Sequence, residues 1–161
     1  MANLREANLS MTNLSMANLC MANLVGATLY EGILSSANLS LANLCMTNLI
    51  GANLQKANLV GSTLIGANLY KAVLTGANLR EADLREATLS IADLSEASLI
   101  SANLSRSNLR DANLSRANLS MANLQGANLH RANLKDANLT KTDLTGTYLK
   151  EAIMPDGSVN D

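Results

Sequence analysis

Ala112-Asn113-Leu114-Ser115-Arg116, Ala117-Asn118-Leu119-Ser120-Met121 and Ala122-Asn123-Leu124-Gln125-Gly126 are one five-residue phrase written three times. The phrase continues in both directions without a slipped register: leucine stands at every fifth position from Leu4 to Leu149, thirty times. Two residues before each leucine is a small residue, usually Ala, otherwise Thr12, Gly32, Thr47, Ser62, Ser107, Thr142 or Thr147. The residue between the two is mostly Asn. An α-helix advances about 500° in five residues, so successive leucines would spiral around it. A flat strand has a side-chain period of two and would send them to opposite faces. A chain that turns a corner every five residues buries the pattern: the leucine and the small residue point inward, and the other three positions point out. A large and a small residue on each side fill a narrow interior without voids.

The outward charges speak to the number of sides. Second after each leucine come Glu86 and Arg106, Glu96 and Arg116, Arg116 and Asp136, Asp111 and Arg131, and Arg131 and Glu151, each pair opposite in sign and twenty residues apart. At a spacing of fifteen, Lys56–Lys71, Glu81–Glu96, Glu96–Asp111, Arg116–Arg131 and Asp136–Glu151 would clash, against one favourable pair, Lys71–Glu86. Opposite charges on neighbouring strands are favoured by roughly 0.2–1 kcal/mol each. The columns therefore predict four sides.

The repeat A-(N/D)-L-x-x resembles that of the pentapeptide repeat family. The resemblance implies an all-β fold, a right-handed quadrilateral parallel β-helix. Residues 1–154 would form this β-solenoid, in about seven and a half coils of four pentapeptides. At about 4.8 Å between neighbouring strands the rod would stand roughly 36 Å tall. Residues 155–161 would form a carboxy-terminal tail, because Pro155-Asp156-Gly157-Ser158 reads as a turn leaving the rod. The ending Met154-Pro155-Asp156-Gly157 is similar to that of cyanobacterial members.

Composition narrows the function classes. The chain of 161 residues has no Phe, no Trp and three Tyr, so its core is a stack of leucine and alanine. Each buried leucine contributes roughly 1.5–3 kcal/mol. Twelve basic and thirteen acidic residues nearly cancel, which gives no general field for nucleic acid. His130 is the only histidine and faces outward between Arg110 and Lys150, without the orienting partner a catalytic base needs. Asp83, Asp93 and Asp143 occupy Asn positions and never meet on one corner. No Cys/His grouping has metal-ligand spacing. These observations predict a protein that is not an enzyme, with no cofactor and no metal. Residues 1–25 show no basic region followed by an apolar run, and no stretch is long and apolar enough to span a membrane. Cys20 and Cys45 read as free thiols, which points to a cytoplasmic location.

The two halves differ on the outside. Residues 1–70 hold four charged residues (Arg5, Glu6, Glu31, Lys56) and residues 71–161 the remaining twenty-one. Two apolar sets stack at a spacing of twenty: Val25, Cys45, Ile65, and Tyr30, Ile50, Tyr70. Ile33 and Val73 replace Asn nearby. Val25, Tyr30, Ile33, Cys45, Ile50, Ile65 and Tyr70 are the candidate interaction surface. The same residues also suit a ladder that stabilises a sheet with no partner.

The Asn column reads as structural, its side chains bonding nearby backbone at the corners. Seven glycines, from Gly26 to Gly146, stand second after leucine, where a corner could require a positive φ. The repeat begins at Ala2 with no cap, and three explanations stand: a second copy stacks there, the chain is trimmed from a longer one, or the open edge is tolerated. The expected function is a non-enzymatic protein-interaction or scaffold module acting through its outer faces. Its protein partner is unknown, and an end-to-end homodimer through the N-terminal coil is an expected contact. The alternative, implied by the resemblance, is a DNA mimic that inhibits or protects a type II topoisomerase. That role calls for a strongly acidic surface, where these columns alternate in sign.

Overall fold

Each leucine closes a tight turn with the small residue three positions on, as in Ala7 N–H to Leu4 O at 3.1 Å and Ala67 N–H to Leu64 O at 3.0 Å. The third residue of the turn has a positive φ every time. Seven of these positions are glycine, and the other twenty-three carry side chains at φ 50 to 60°. A positive φ at that one place defines a type II turn. The computed structural model describes residues 2–161, and the turn recurs along them from Leu4 to Ala152.

Parallel bridges link residues twenty apart, from Asn3 to Asn23 through Asn133 to Ile153. Each twenty-residue rung thus contains four turns and four bridging residues, as the charge columns predict. From Asn3 to Tyr148 the bridging residue is the one before leucine, and Ile153 takes the same place before Met154. Every bridge is isolated, so a side contributes one residue in place of a strand. The reason is geometric: the turn takes four residues of each five and leaves one to pair. Three backbone bonds join each repeat to the next rung, as in Leu64 N–H to Asp83 O at 2.7 Å, Gly66 N–H to Arg85 O at 3.0 Å and Asp83 N–H to Ser62 O at 2.9 Å.

Leucines 24 to 134 are completely buried, together with the alanines between them. Where the small residue is polar, its hydroxyl finds a carbonyl: Thr47 Oγ1 donates to Leu44 O at 2.6 Å and Leu24 O at 3.1 Å, and Ser62 Oγ to Leu59 O at 2.7 Å. Both ends are more open. Leu4, Leu9 and Leu14 are half-buried, and so are Leu139, Leu144 and Leu149. The tail turns back on the last rung and pairs Ile153 with Val159 in antiparallel fashion.

The side-chain oxygen of every Asn and Asp at the bridging position from Asn3 to Asp143 accepts the N–H two residues on, at 2.9–3.4 Å. That donor points away from the ladder, so the Asn side chain satisfies a group no neighbouring rung reaches. Some amides also bond along the column, as Asn58 Nδ2 does to Asn38 Oδ1 at 3.3 Å.

The left-handed corners carry a cost. Ile91 is β-branched and sits at φ 60°, a region that disfavours its Cβ by roughly 1–2 kcal/mol. It is 48% exposed and so has little packing to lose. Ile91→Gly is expected to raise unfolding free energy by about 1 kcal/mol after the entropy glycine adds to the unfolded chain. A thermal melt that falls for this variant would show that Ile91 is held by contacts rather than strained.

Candidate functional site

The bridges assemble the predicted surface. Asn23, Asn43 and Thr63 pair in series and align Val25, Cys45 and Ile65, while Thr28, Asn48 and Asn68 align Tyr30, Ile50 and Tyr70. Ile33 and Val73 bridge to Asn53 from either side and share one column. Exposure then divides the seven residues. Tyr30 and Ile33 are exposed, whereas Val25, Cys45, Ile50, Ile65 and Tyr70 are half-buried against their neighbours above and below. Lys71 Nζ lies 5.2 Å over the Tyr70 ring. Cys20 and Cys45 are free, and Cys20 Sγ accepts from Ser40 Oγ at 3.3 Å.

Side chains at the left-handed corners protrude more than the ladder residues do. Met16 is 82% exposed, Met46 70%, Met11 66% and Leu41 55%, against 36% for Tyr30. Met46 and Leu41 lean toward the next rung, where glycine makes room. A β-carbon on Gly66 would stand 2.6 Å from Met46 Sδ, and one on Gly61 2.9 Å from Leu41 Cδ2. The sequence shows these residues as outward-facing. Ranking them above the stacked columns required the corner conformation, for which the recurrent glycines at the same position are the available signal.

Ile33 and Val73 break the rule of their own column. Neither has an oxygen to accept the N–H of Ser35 or Thr75, which Asn or Asp supplies at positions 13, 53, 93, 113 and 133 of that column; Tyr148, 51% exposed, departs in the same way in the second half. Ile33 and Val73 both stand in the open, 40% and 37% exposed. An exposed apolar residue at a position where Asn satisfies the backbone forgoes local stability.

Polar groups in the other half are committed to one another. A hydrogen-bonded fork from Arg85 (Nη2 to Oδ2 2.8 Å, Nε to Oδ1 2.9 Å) holds the Asp83 carboxyl below its usual range. Burial pushes Asp93 up, but bonds from Ser95, Thr75 and Asn113 outweigh it and leave that carboxyl below its usual range too. Of the five expected column pairs, two close within ion-pair distance among the described residues: Arg131–Asp111 at 3.2 Å and Arg116–Glu96 at 3.5 Å. All four partners reach into solvent, so each pair contributes little. His130 shares a hydrogen bond of 2.9 Å between Nδ1 and Lys150 O and packs on Tyr148, ring centroids 5.6 Å apart. A polar groove of about 580 Å³ runs along the outer surface where Gly126 and Gly146 lower a corner, lined also by Arg85, Glu86, Arg106 and Gln125. Among the described residues, no group of three or more His, Cys, Asp or Glu could hold a metal, and no helix is long and apolar enough to cross a membrane.

Comparisons with known proteins agree with this architecture. The model of the pentapeptide repeats matches eight copies, over residues 2–40, 34–64, 52–90, 92–131 and 117–156. Among solved structures, HetL from the cyanobacterium Nostoc sp. strain PCC 7120, a pentapeptide repeat protein involved in heterocyst differentiation regulation, is 39% identical. The match covers 98% of this chain and 78% of HetL, with a TM-score of 0.59. The pentapeptide repeat protein Rfr23 from the cyanobacterium Cyanothece 51142 is 38% identical over 66% of each chain, with a TM-score of 0.39. QnrB1, a plasmid-mediated fluoroquinolone resistance protein, is 20% identical over 88% of this chain and 79% of its own, with a TM-score of 0.43. Among proteins of curated function, none matches the chain.

Proposed function

The chain belongs to the pentapeptide repeat family, whose fold is a right-handed β-helix, and from that premise we propose a non-enzymatic interaction module that binds a protein partner. It presents the apolar faces of its first half, around Tyr30 and Ile33, together with Val73 just beyond, on a rigid rod. One observation carries the reading: Ile33 and Val73 stand exposed at positions where Asn would have satisfied the backbone. Natural chains depart from a local rule most often where function demands it. The distribution of exposed apolar side chains supports the same half. Met11, Met16, Met21, Tyr30, Ile33, Leu41 and Met46 fall within residues 11–46, seven of the twelve large apolar residues that stand exposed on the described chain. The kinship with HetL supports a regulatory role of the kind its name records. Free thiols at Cys20 and Cys45 suit a cytoplasmic setting. DNA mimicry is the weaker reading, because the acids of the second half are interleaved with Arg116 and Arg131 and build no concentrated negative field.

The test separates binding from folding. Ile33→Asn with Val73→Asn is expected to restore two side-chain-to-backbone bonds and stabilise the rod by about 1–2 kcal/mol. The same pair should lose the proteins that the immobilised wild-type chain retains from a cyanobacterial extract. Retention equal to wild type by a more stable double variant would leave these residues as a ladder and nothing more.

A further inference from the structure

We propose that two copies of this chain pack side by side and antiparallel through the face that holds Ile33 and Val73, about a two-fold axis lying across the rod at Asn53. This contact rests on the reading above and names a second copy as the partner the face fits.

The face carries the same phrase twice, with the charge reversed. Tyr30-Glu31-Gly32-Ile33-Leu34-Ser35-Ser36 and Tyr70-Lys71-Ala72-Val73-Leu74-Thr75-Gly76 correspond position by position. They stand forty residues apart, on either side of Asn53, which bridges to Ile33 below and to Val73 above. Two rungs, roughly 10 Å, separate them. Glu31 and Lys71 are exposed, and neither makes an ion pair among the described residues. Each lies instead against its own tyrosine. Lys71 Nζ is 5.2 Å over the Tyr70 ring, and the Glu31 carboxylate raises the Tyr30 phenol above its usual range.

A two-fold axis across the rod reverses the order of the rungs and sets each column against itself. Ile33 then faces the partner's Val73, Tyr30 the partner's Tyr70 and Glu31 the partner's Lys71, and each contact occurs twice. Ser35 meets the partner's Thr75 in the same way, hydroxyl to hydroxyl. On the axis Asn53 and Gln55 meet their own twins, and a side-chain amide both donates and accepts. The pairing covers the side chains that stand out of this face, Ile33 at 40%, Val73 at 37% and Tyr30 at 36% exposed. Lys56 is the one charge that falls on the axis. It leans away over Gly76, its Cγ 3.7 Å from where a β-carbon would stand, so the two lysines part in opposite directions. A two-fold axis along the rod does less. It sets Glu31 against the partner's Ser35 and Lys71 against the partner's Thr75, so neither charge meets its opposite. Because both copies use the same patch, association closes at two.

Sedimentation of the full chain is expected to show a concentration-dependent dimer of twice the 17.0 kDa of one copy. Glu31→Lys and Lys71→Glu should each weaken it about tenfold, because either change sets like charges together at both contacts. The arrangement makes a sharper demand on their combination. An equal mixture of the two single variants should recover wild-type association, and so should Glu31→Lys with Lys71→Glu in one chain. Both positions are exposed, so the circular dichroism of the rod is expected to stay unchanged throughout. A wild-type chain that stays single at millimolar concentration overturns the proposal, and so does a dimer in which the exchanged charges bring no recovery. The result is separable from that of the extract experiment. Retention that depends on Ile33 and Val73, by a chain that stays single, keeps the protein-binding reading and removes this one.

Discussion

Leu84→Ala is expected to cost about 2–5 kcal/mol of unfolding free energy, and Leu9→Ala less than half as much. Leu84 is wholly buried, and its rung is fastened on both sides. Leu84 N–H donates to Asn103 O at 2.7 Å, and Asp83 O accepts from Leu64 N–H at 2.7 Å. With the ladder holding adjacent rungs at a set spacing, the walls cannot close on the space a truncated side chain leaves, and that space adds to the loss of buried area. Leu9 is half-buried on the first rung, where the same truncation removes area already partly wet. Equilibrium denaturation of the two variants side by side measures the contrast. Amide exchange at Leu64 and Leu104 would show whether the damage stays local, as nearest-neighbour stability in a solenoid requires. Equal losses at the two positions would mean that the interior is not sealed as described.

Ala87→Leu should be harmful in the opposite sense, by about 1–3 kcal/mol or more. Ala87 is wholly buried, and its backbone is bonded to Leu84 O at 3.1 Å, so the added atoms can move neither outward nor along the rod. The largest side chain buried at an equivalent position is Thr47, which fits because its hydroxyl bonds Leu44 O at 2.6 Å. Ala7→Leu, on the half-open first rung, is expected to be close to neutral. A destabilisation at Ala87 as small as that at Ala7 would show that the small-residue column is a matter of propensity and not of space.

Much of this was legible in the residues themselves. The period of five excluded a helix and a flat strand, and the charges at spacing twenty counted the sides before any bridge was seen. The role of the Asn column was legible as well, because an amide side chain at a corner has a local backbone donor to meet. Other features were not. Glycine at the second position after leucine hinted at a positive φ, yet nothing in Ile91, Leu41 or Met16 announces the same conformation. The hydrogen bonds on both sides of a rung impose it on whatever residue stands there. The candidate surface was legible only as a list of outward residues. Which of them project into solvent depends on the neighbours one rung away, which cover Ile50 and Tyr70 but leave Ile33 and Met46 free. The paired columns likewise placed opposite charges in line, while side-chain reach let two of the five close.

By itself, then, the sequence determined which residues face inward, how many repeats complete a rung, and that leucine and alanine share the core. The first and third follow from a strict period acting on hydrophobic burial, and the second from the signs of the outward charges at a spacing of twenty. Only the tertiary structure decided that each side is a single bridging residue, that every corner is left-handed, and that corner methionines outreach the stacked aromatics. Those outcomes come from the contact between rungs twenty residues apart, a constraint that no five-residue window contains.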